Sequence, residues 1–176
     1  PGKTSITVTK TWADNNDQDG LREAIQVQLY ADGEPSGNEV TLSEENNWTY
    51  TWSDLAEKKA GKTIDYTVKE SGVLEGYESV VSGDAKTGFT ITNSHTPETI
   101  SISGTKNWED ADNQDGIRPE SITVNLFADG TLRESQTVAA DADGNWTYSF
   151  TDLPKYTNGH EITYTVTEDA VEGYTT

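Results

Sequence analysis

The chain has 176 residues, with 12 lysine and arginine residues against 31 aspartate and glutamate residues, which gives a formal net charge of -19. A surface this anionic repels nucleic acid and anionic lipid, because both are bound through lysine and arginine. We therefore expect neither nucleic acid nor membrane as a partner. The chain has no cysteine, which excludes disulfides and thiolate metal sites.

The low hydrophobic content of 32% is balanced by aromatic residues, 5 Trp and 8 Tyr, which bury large areas in a small core. No apolar run approaches the roughly 20 residues of a membrane-spanning helix, and no secretory signal is recognisable. We expect the sequence to be an internal segment of a longer protein. Its strong negative charge suits a solvated, extracellular spacer.

Short runs of alternating apolar and polar residues follow one another along the first half of the chain. They cover residues 6–12, 25–29, 48–52, 64–68 and 89–92. Alternation with a period of two, interrupted by Gly, Asp and Asn turns, is typical of half-buried antiparallel strands. No window has the periodicity of an amphipathic helix. The pattern therefore predicts an all-β chain built from two-sheet sandwiches.

The second half of the chain repeats the first, at an offset that grows from 96 residues (Lys10 to Lys106) to 98 residues (Glu70 to Glu168). The matching segments are Lys10–Trp12 with Lys106–Trp108, Asp17–Gly20 with Asn113–Gly116, Ala31–Gly33 with Ala128–Gly130, Asn47–Tyr50 with Asn145–Tyr148, and Tyr66–Glu70 with Tyr164–Glu168. Pro97 interrupts the pattern between the copies. We predict one domain over residues 1–96 and a second over residues 97–176.

Three polar residues fall on the predicted core faces of the first copy. Lys10 is in register with the apolar residues of the first strand, Glu70 with those of the fourth run, and Asn93 with those of the last. Successive side chains of a strand point to opposite faces, so parity places all three inward. The second copy repeats two of them, as Lys106 and Glu168.

Two other interpretations of these residues stay open. Parity can fail at strand ends, which would make Lys10 a rim lysine with its amine in water and Glu70 a surface charge. A buried Lys–Glu ion pair is the second. The three residues together favour a chemical role, because a buried lysine loses its proton readily and becomes a nucleophile. A protonated Glu70 could then polarise the amide of Asn93, and the fold would supply the proximity for the two side chains to join.

The ordered motifs Lys-Thr-Trp, Asp-Gln-Asp-Gly-x-Arg, Asn-Trp-x-Tyr, Tyr-Thr-Val-x-Glu, Glu-Gly-Tyr and Ile-Thr-Asn-Ser resemble the B-type repeat domain of collagen adhesin, found in Gram-positive adhesins and pilins. The resemblance covers essentially the whole chain. It implies two tandem inverse immunoglobulin-like sandwiches. It also implies an isopeptide bond between Lys10 and Asn93, promoted by Glu70.

The second copy departs from this pattern. Lys106 and Glu168 match, but the counterpart of Asn93 would fall near position 190, beyond Thr176. We expect the last strand of the second domain to be absent from this sequence. Glu168 is then a proton carrier without a reaction, and Lys106 an isopeptide lysine without its asparagine.

The motif that begins at Asn15 and continues through Asp17, Asp19 and Gly20 resembles the start of a calcium loop, but its twelfth position is Gln26 and not glutamate. We expect an Asx turn there, with no metal and no cofactor. The two histidines are isolated in sequence, and no Ser-His-Asp set occurs. An enzyme is not expected, because the trio of Lys10, Glu70 and Asn93 would react once and not turn over.

The sequence thus predicts a stalk or spacer module of a cell-wall-anchored adhesin or pilin, located outside the cell. Its partners would be neighbouring domains of the same surface protein. The alternative function is a ligand-binding module that engages a host extracellular-matrix protein, which displaced surface Trp or Tyr side chains would support.

Overall fold

The structure is a computed structural model that describes residues 2–176, and the chain divides into two compact units after Pro97. The regular secondary structure of both units is almost entirely β-strand, as the alternation predicted. The strands of the first unit are β1 (Lys3–Ala13), β2 (Ile25–Ala31), β3 (Glu34–Pro35), β4 (Val40–Leu42), β5 (Thr49–Ala56), β6 (Lys58–Lys59), β7 (Lys62–Thr63), β8 (Tyr66–Ser71), β9 (Glu78–Asp84) and β10 (Gly88–Ser94). One 3-10 turn, Glu44–Asn46, precedes β5.

Two main sheets and a short β6–β7 hairpin form the first unit. One has the order β5-β1-β10-β9, and the other joins β3, β4 and β8 to the central strand β2. Their inward side chains form one buried cluster, because alternate residues of each strand point to the same face. That cluster comprises Ile6, Val8, Ile25, Val27, Leu29, Leu42, Trp52, Tyr66, Val68, Phe89 and Ile91.

The first and last strands of this unit, β1 and β10, lie side by side and run parallel. In their register Lys10 is opposite Ile91, and Trp12 is opposite Asn93. Lys10 and Asn93 are therefore diagonal neighbours on the same face of the sheet, which is the buried one.

The second unit contains β11 (Thr99–Lys106), β12 (Ile122–Ala128), β13 (Thr131–Val138), β14 (Trp146–Pro154), β15 (Tyr156–Thr157), β16 (His160–Glu161) and β17 (Tyr164–Glu168). β11 pairs with β14, β12 lies between β13 and β17, and β15 and β16 form a short hairpin. Its core contains Ile122, Val124, Leu126, Val138, Trp146, Phe150 and Leu153.

One cross-strand pair differs between the two units. Val8 of β1 lies opposite Tyr50, whose side chain is exposed, whereas Gly104 of β11 lies opposite Tyr148, which packs against the core. A Cβ added at Gly104 would overlap the hydroxyl and ring of Tyr148. The tyrosine therefore fills the volume that valine occupies in the first unit, a compensation known for glycine in strands.

We expect Gly104→Val to destabilise the second unit by about 1–3 kcal/mol, because the inserted side chain must displace the Tyr148 ring. Amide hydrogen exchange of β11 measures the loss. In a Tyr148→Ser background the same substitution should cost little, since the clashing ring is gone. An equal loss in both backgrounds would contradict this account.

Candidate functional site

The structure brings Lys10, Glu70 and Asn93 together in the core of the first unit. Lys10 is 3% exposed and Asn93 is fully buried. Both side chains project from the β1–β10 pair towards the opposite sheet. Glu70 lies on β8 of that sheet, in register with buried Val27. The parity argument placed all three on the core side, and the structure shows them there.

The contacts within the trio are specific. The Asn93 amide nitrogen donates to Glu70 Oε1 at 2.9 Å. The Lys10 amine donates to the Thr11 carbonyl at 2.6 Å and lies 3.7 Å from the centre of the Trp12 ring. Glu70 Oε2 and Asn93 Oδ1 are buried without a hydrogen-bond partner. Buried polar atoms are nearly always paired in native proteins, so two unpaired oxygens at one place are unusual.

Burial lowers the pKa of Lys10 from its ordinary 10.5 to about 8, against the opposing charges of Glu70 and Asp14. A pKa near 8 leaves roughly a tenth of the lysine as neutral amine at pH 7, against well under a thousandth for a lysine in water. The site therefore holds a nucleophile next to a buried amide and a carboxyl group.

In the second unit Lys106 and Glu168 also meet. The Lys106 amine donates to Glu168 Oε2 at 2.8 Å, and the two side chains are 18% and 11% exposed. This is the buried ion-pair arrangement considered above as an alternative for Lys10 and Glu70. Lys106 lies 4.7 Å from the centre of the Trp108 ring, farther than Lys10 from Trp12.

A buried polar network beside the trio was not predicted. Asp14 is 2% exposed, and its carboxylate accepts from Arg22 Nε at 2.8 Å and Nη2 at 2.6 Å, from the Tyr77 hydroxyl at 2.7 Å and from the Asp17 amide at 3.0 Å. Tyr77 and Arg22 both contact the ring of Trp12. The network thus joins the loop after β1 to the turn before β9.

The second unit repeats this network with Asp110, Arg118 and Tyr174. Asp110 Oδ2 accepts from Arg118 Nε at 3.0 Å and from the Tyr174 hydroxyl at 2.6 Å. The sequence carried a signal for it, because the acid, the arginine eight residues later and the tyrosine recur in both copies. Their meeting depends on residues more than 60 positions apart, which the local pattern does not reveal.

His95 is a second functional group that the sequence concealed. Its Nε2 bonds Asp19 Oδ2 and its Nδ1 bonds the Gly76 carbonyl, both at 2.7 Å. Both partners are acceptors, so the ring makes both bonds only when it is doubly protonated. His95 directly follows β10 and thereby fastens two loops over the end of the core.

We expect the pKa of His95 to lie above its ordinary 6.5, because the bond to Asp19, the bond to Gly76 and the charge of Asp14 favour the imidazolium. The stability that the His95 bonds to Asp19 and Gly76 contribute is fully present below pH 6.5 and is lost as pH rises through the raised pKa of His95. An NMR titration of the ring measures the midpoint, and Asp19→Asn should lower it. A midpoint at or below 6.5 in the unsubstituted chain would contradict a stabilising role for these two bonds.

Among residues 2–176, no group of three or more His, Cys, Asp or Glu side chains is arranged to hold a metal ion. The segment compared with a calcium loop has Asn15, Asn16 and Asp17 in the left-handed backbone region, with the Asp17 amide bonded to Asp14 Oδ1. None of the described helices has the length and apolar character needed to cross a membrane.

Comparison with known proteins agrees with this architecture. The family model of the Cna protein B-type domain matches residues 6–94 and 102–176. The collagen adhesin of Staphylococcus aureus is 51% identical over 177 aligned positions, which cover all of this chain and 15% of that protein. The crystal structure of two B repeat units, B1B2, of the Staphylococcus aureus collagen binding protein Cna superposes with a TM-score of 0.88 at 49% identity, covering 99% of this chain and 46% of that one.

These matches confirm the predicted resemblance and the predicted fold of two tandem B-type sandwiches. Domains of this kind are structural modules of adhesins and not enzymes, as the sequence predicted. The chain belongs to the Cna protein B-type domain family, of which it contains two tandem copies.

Proposed function

We propose that the chain is a stalk segment of a cell-wall-anchored adhesin or pilin on a bacterial surface, and that its first domain is locked by an isopeptide bond between Lys10 and Asn93. The observation that carries the proposal is the meeting of a buried lysine, a buried asparagine and Glu70 between the two sheets. The partners of the segment are neighbouring domains of the same surface protein.

The reaction needs only the side chains present. The neutral Lys10 amine attacks Cγ of Asn93, and the Nζ–Cγ bond forms as the Cγ–Nδ2 bond breaks. Glu70 protonates the amide oxygen during attack, takes the proton lost by Nζ and delivers it to Nδ2, which leaves as ammonia. As the carbonyl re-forms, the oxygen returns its proton to Glu70. One amine and one primary amide thus become one secondary amide and one ammonia, and Glu70 ends as it began.

The bond would serve a spacer by its position. Lys10 lies on the first strand and Asn93 on the last, and these strands are neighbours in the sheet. A pull on the two ends of the domain then passes through a covalent link at this pair. The hydrogen-bond ladders of the other strands carry none of that load.

The alternative, a module that binds a host matrix protein, has less support in the described residues. Binding surfaces are enriched in exposed Trp and Tyr, but all five tryptophans are at least partly buried. Among the described aromatic residues the most exposed is Tyr50, at 39%. The known relative is named a collagen adhesin, and this chain spans 15% of its length. We place ligand binding outside these two domains.

Intact mass measurement of the denatured chain tests the proposal. We expect a mass one ammonia below that of the sequence, because one of the two domains has a complete trio. Lys10→Ala should restore the full mass. A full-mass unsubstituted chain would refute the isopeptide bond, and a deficit of two ammonias would show that Lys106 has reacted as well.

A further inference from the structure

The Lys10 amine lies over the ring of Trp12. The amine lies 3.7 Å from the ring centre, within the range at which an aromatic face attracts a cation. The remaining hydrogen bond of the amine goes to the Thr11 carbonyl. Glu70, the carboxylate that could pair with Lys10, is bonded to the Asn93 amide instead.

The Trp12 ring is itself firmly held. Trp48 and Tyr77 meet it edge-on, each with ring centres 5.2 Å away. The Arg22 guanidinium lies 5.4 Å from the ring centre, and Arg22 is fixed by its two bonds to buried Asp14. A ring held by packing and by a buried ion pair gives the amine a defined position.

The second unit provides an internal comparison. There the ring of Trp108 is 4.7 Å from the lysine amine, and the amine is bonded to the carboxylate of Glu168. In the second unit the lysine and the glutamate thus pair with each other, and the ring is farther from the amine. Such a pair keeps the lysine protonated and occupies the carboxyl group that must act on the amide.

We infer that Trp12 is a positioning residue for amide formation: its indole face holds the Lys10 amine away from Glu70, so that Glu70 stays on Asn93. The inference rests on the proposed Lys10–Asn93 bond and assigns a division of labour within it. Trp12 places the nucleophile, and Glu70 activates the electrophile.

Three substitutions separate this role from simple core packing. Trp12→Phe keeps an aromatic face, and Trp12→Leu keeps apolar volume without one. Trp12→Met, whose flexible side chain fills irregular space, is the second variant should the leucine chain not fold. Each full-length chain is dissolved unreacted in acidic urea and refolded into buffers from neutral to alkaline pH, and the loss of ammonia is followed by mass spectrometry.

We expect Trp12→Phe to react within about threefold of the unsubstituted rate. Trp12→Leu should react tenfold or more slowly at pH 7 and recover as pH rises, because pairing with Glu70 raises the pKa of Lys10 and each pKa unit lowers the neutral fraction about tenfold. A loss that is the same at every pH, or no loss, would overturn the positioning role while leaving the bond intact. Failure of the unsubstituted chain to lose ammonia would overturn the bond itself, and the inference with it.

Discussion

Replacing Glu70 by glutamine is expected to leave the first domain folded and to prevent its isopeptide bond. Glutamine still accepts the bond from the Asn93 amide that Glu70 Oε1 accepts at 2.9 Å, but it cannot carry a proton between amine and leaving group. Intact mass should therefore show the full sequence mass for Glu70→Gln.

The stability of that variant should fall steeply. The proposed bond would close a loop of 83 residues between Lys10 and Asn93 (93 − 10), and the loop-entropy treatment of cross-links gives about 4–5 kcal/mol for a loop of this length. For a domain of this size the melting temperature should drop by about 20–35 °C. Scanning calorimetry of both chains measures the difference.

Glu168→Gln is the matched control, because Glu168 occupies the same place in the second domain and pairs with Lys106 there. Glu168→Gln should leave the deficit of one ammonia, relative to the mass of its own sequence, unchanged. A mass deficit that persists in Glu70→Gln would assign proton transfer to another acid. Asp65 and Glu75, two acids close to Glu70 in the sequence, are both exposed, which favours Glu70.

Asp14→Ala should be the most damaging substitution outside the trio. It removes the acceptor of both Arg22 bonds and of the Tyr77 hydroxyl, which is buried with it. Removing one partner of a buried ion pair costs about 3–5 kcal/mol, and we expect a loss of about that size. Hydrogen exchange in peptides from the first domain measures it.

Acidic pH should destabilise the first domain by protonating the same carboxylate, that of Asp14. Burial by itself would raise the pKa of Asp14, but the hydrogen bonds from Arg22 and Tyr77 outweigh it and lower the pKa from 3.8 to about 2. The stability from this group is present above pH 3.8 and is lost as pH falls through about 2.

Asp110→Ala in the second domain, where the acid is more exposed, should cost less stability than Asp14→Ala. Equal losses of stability from Asp14→Ala and Asp110→Ala would contradict the expectation that the more buried acid contributes more.

The sequence revealed the strands whose inward residues alternate, and it placed Lys10, Glu70 and Asn93 because parity is a local property. It did not reveal β9, whose exposed Val80 and Val81 are adjacent and do not alternate. That strand is an edge strand held by its pairing with β10. Pairing between distant segments is a tertiary effect that no short window contains.

In the site, too, the local pattern predicts the face on which a residue lies but not the contacts that it makes. Parity with Lys10 places Trp12 on the inward face of β1, but its contact with the Lys10 amine depends on rotamers and on the rings and charge around it. The contact between His95 and Asp19 joins residues 76 positions apart. Parity assigns a residue to a face, whereas the partner on that face is decided by packing of the whole domain.

The parallel pairing of β1 with β10 also sets how far the domain lengthens under load. Without a link, unravelling the 83 residues from Lys10 to Asn93 would release about 280 Å of chain. With the bond, tension entering from the end of β10 crosses at Asn93 and leaves along β1. The slack is then limited to the seven residues Lys3–Thr9 of β1, or about 25 Å. A stalk built from such domains would therefore lengthen little under load, and would keep whatever it carries at a nearly constant distance from its anchor.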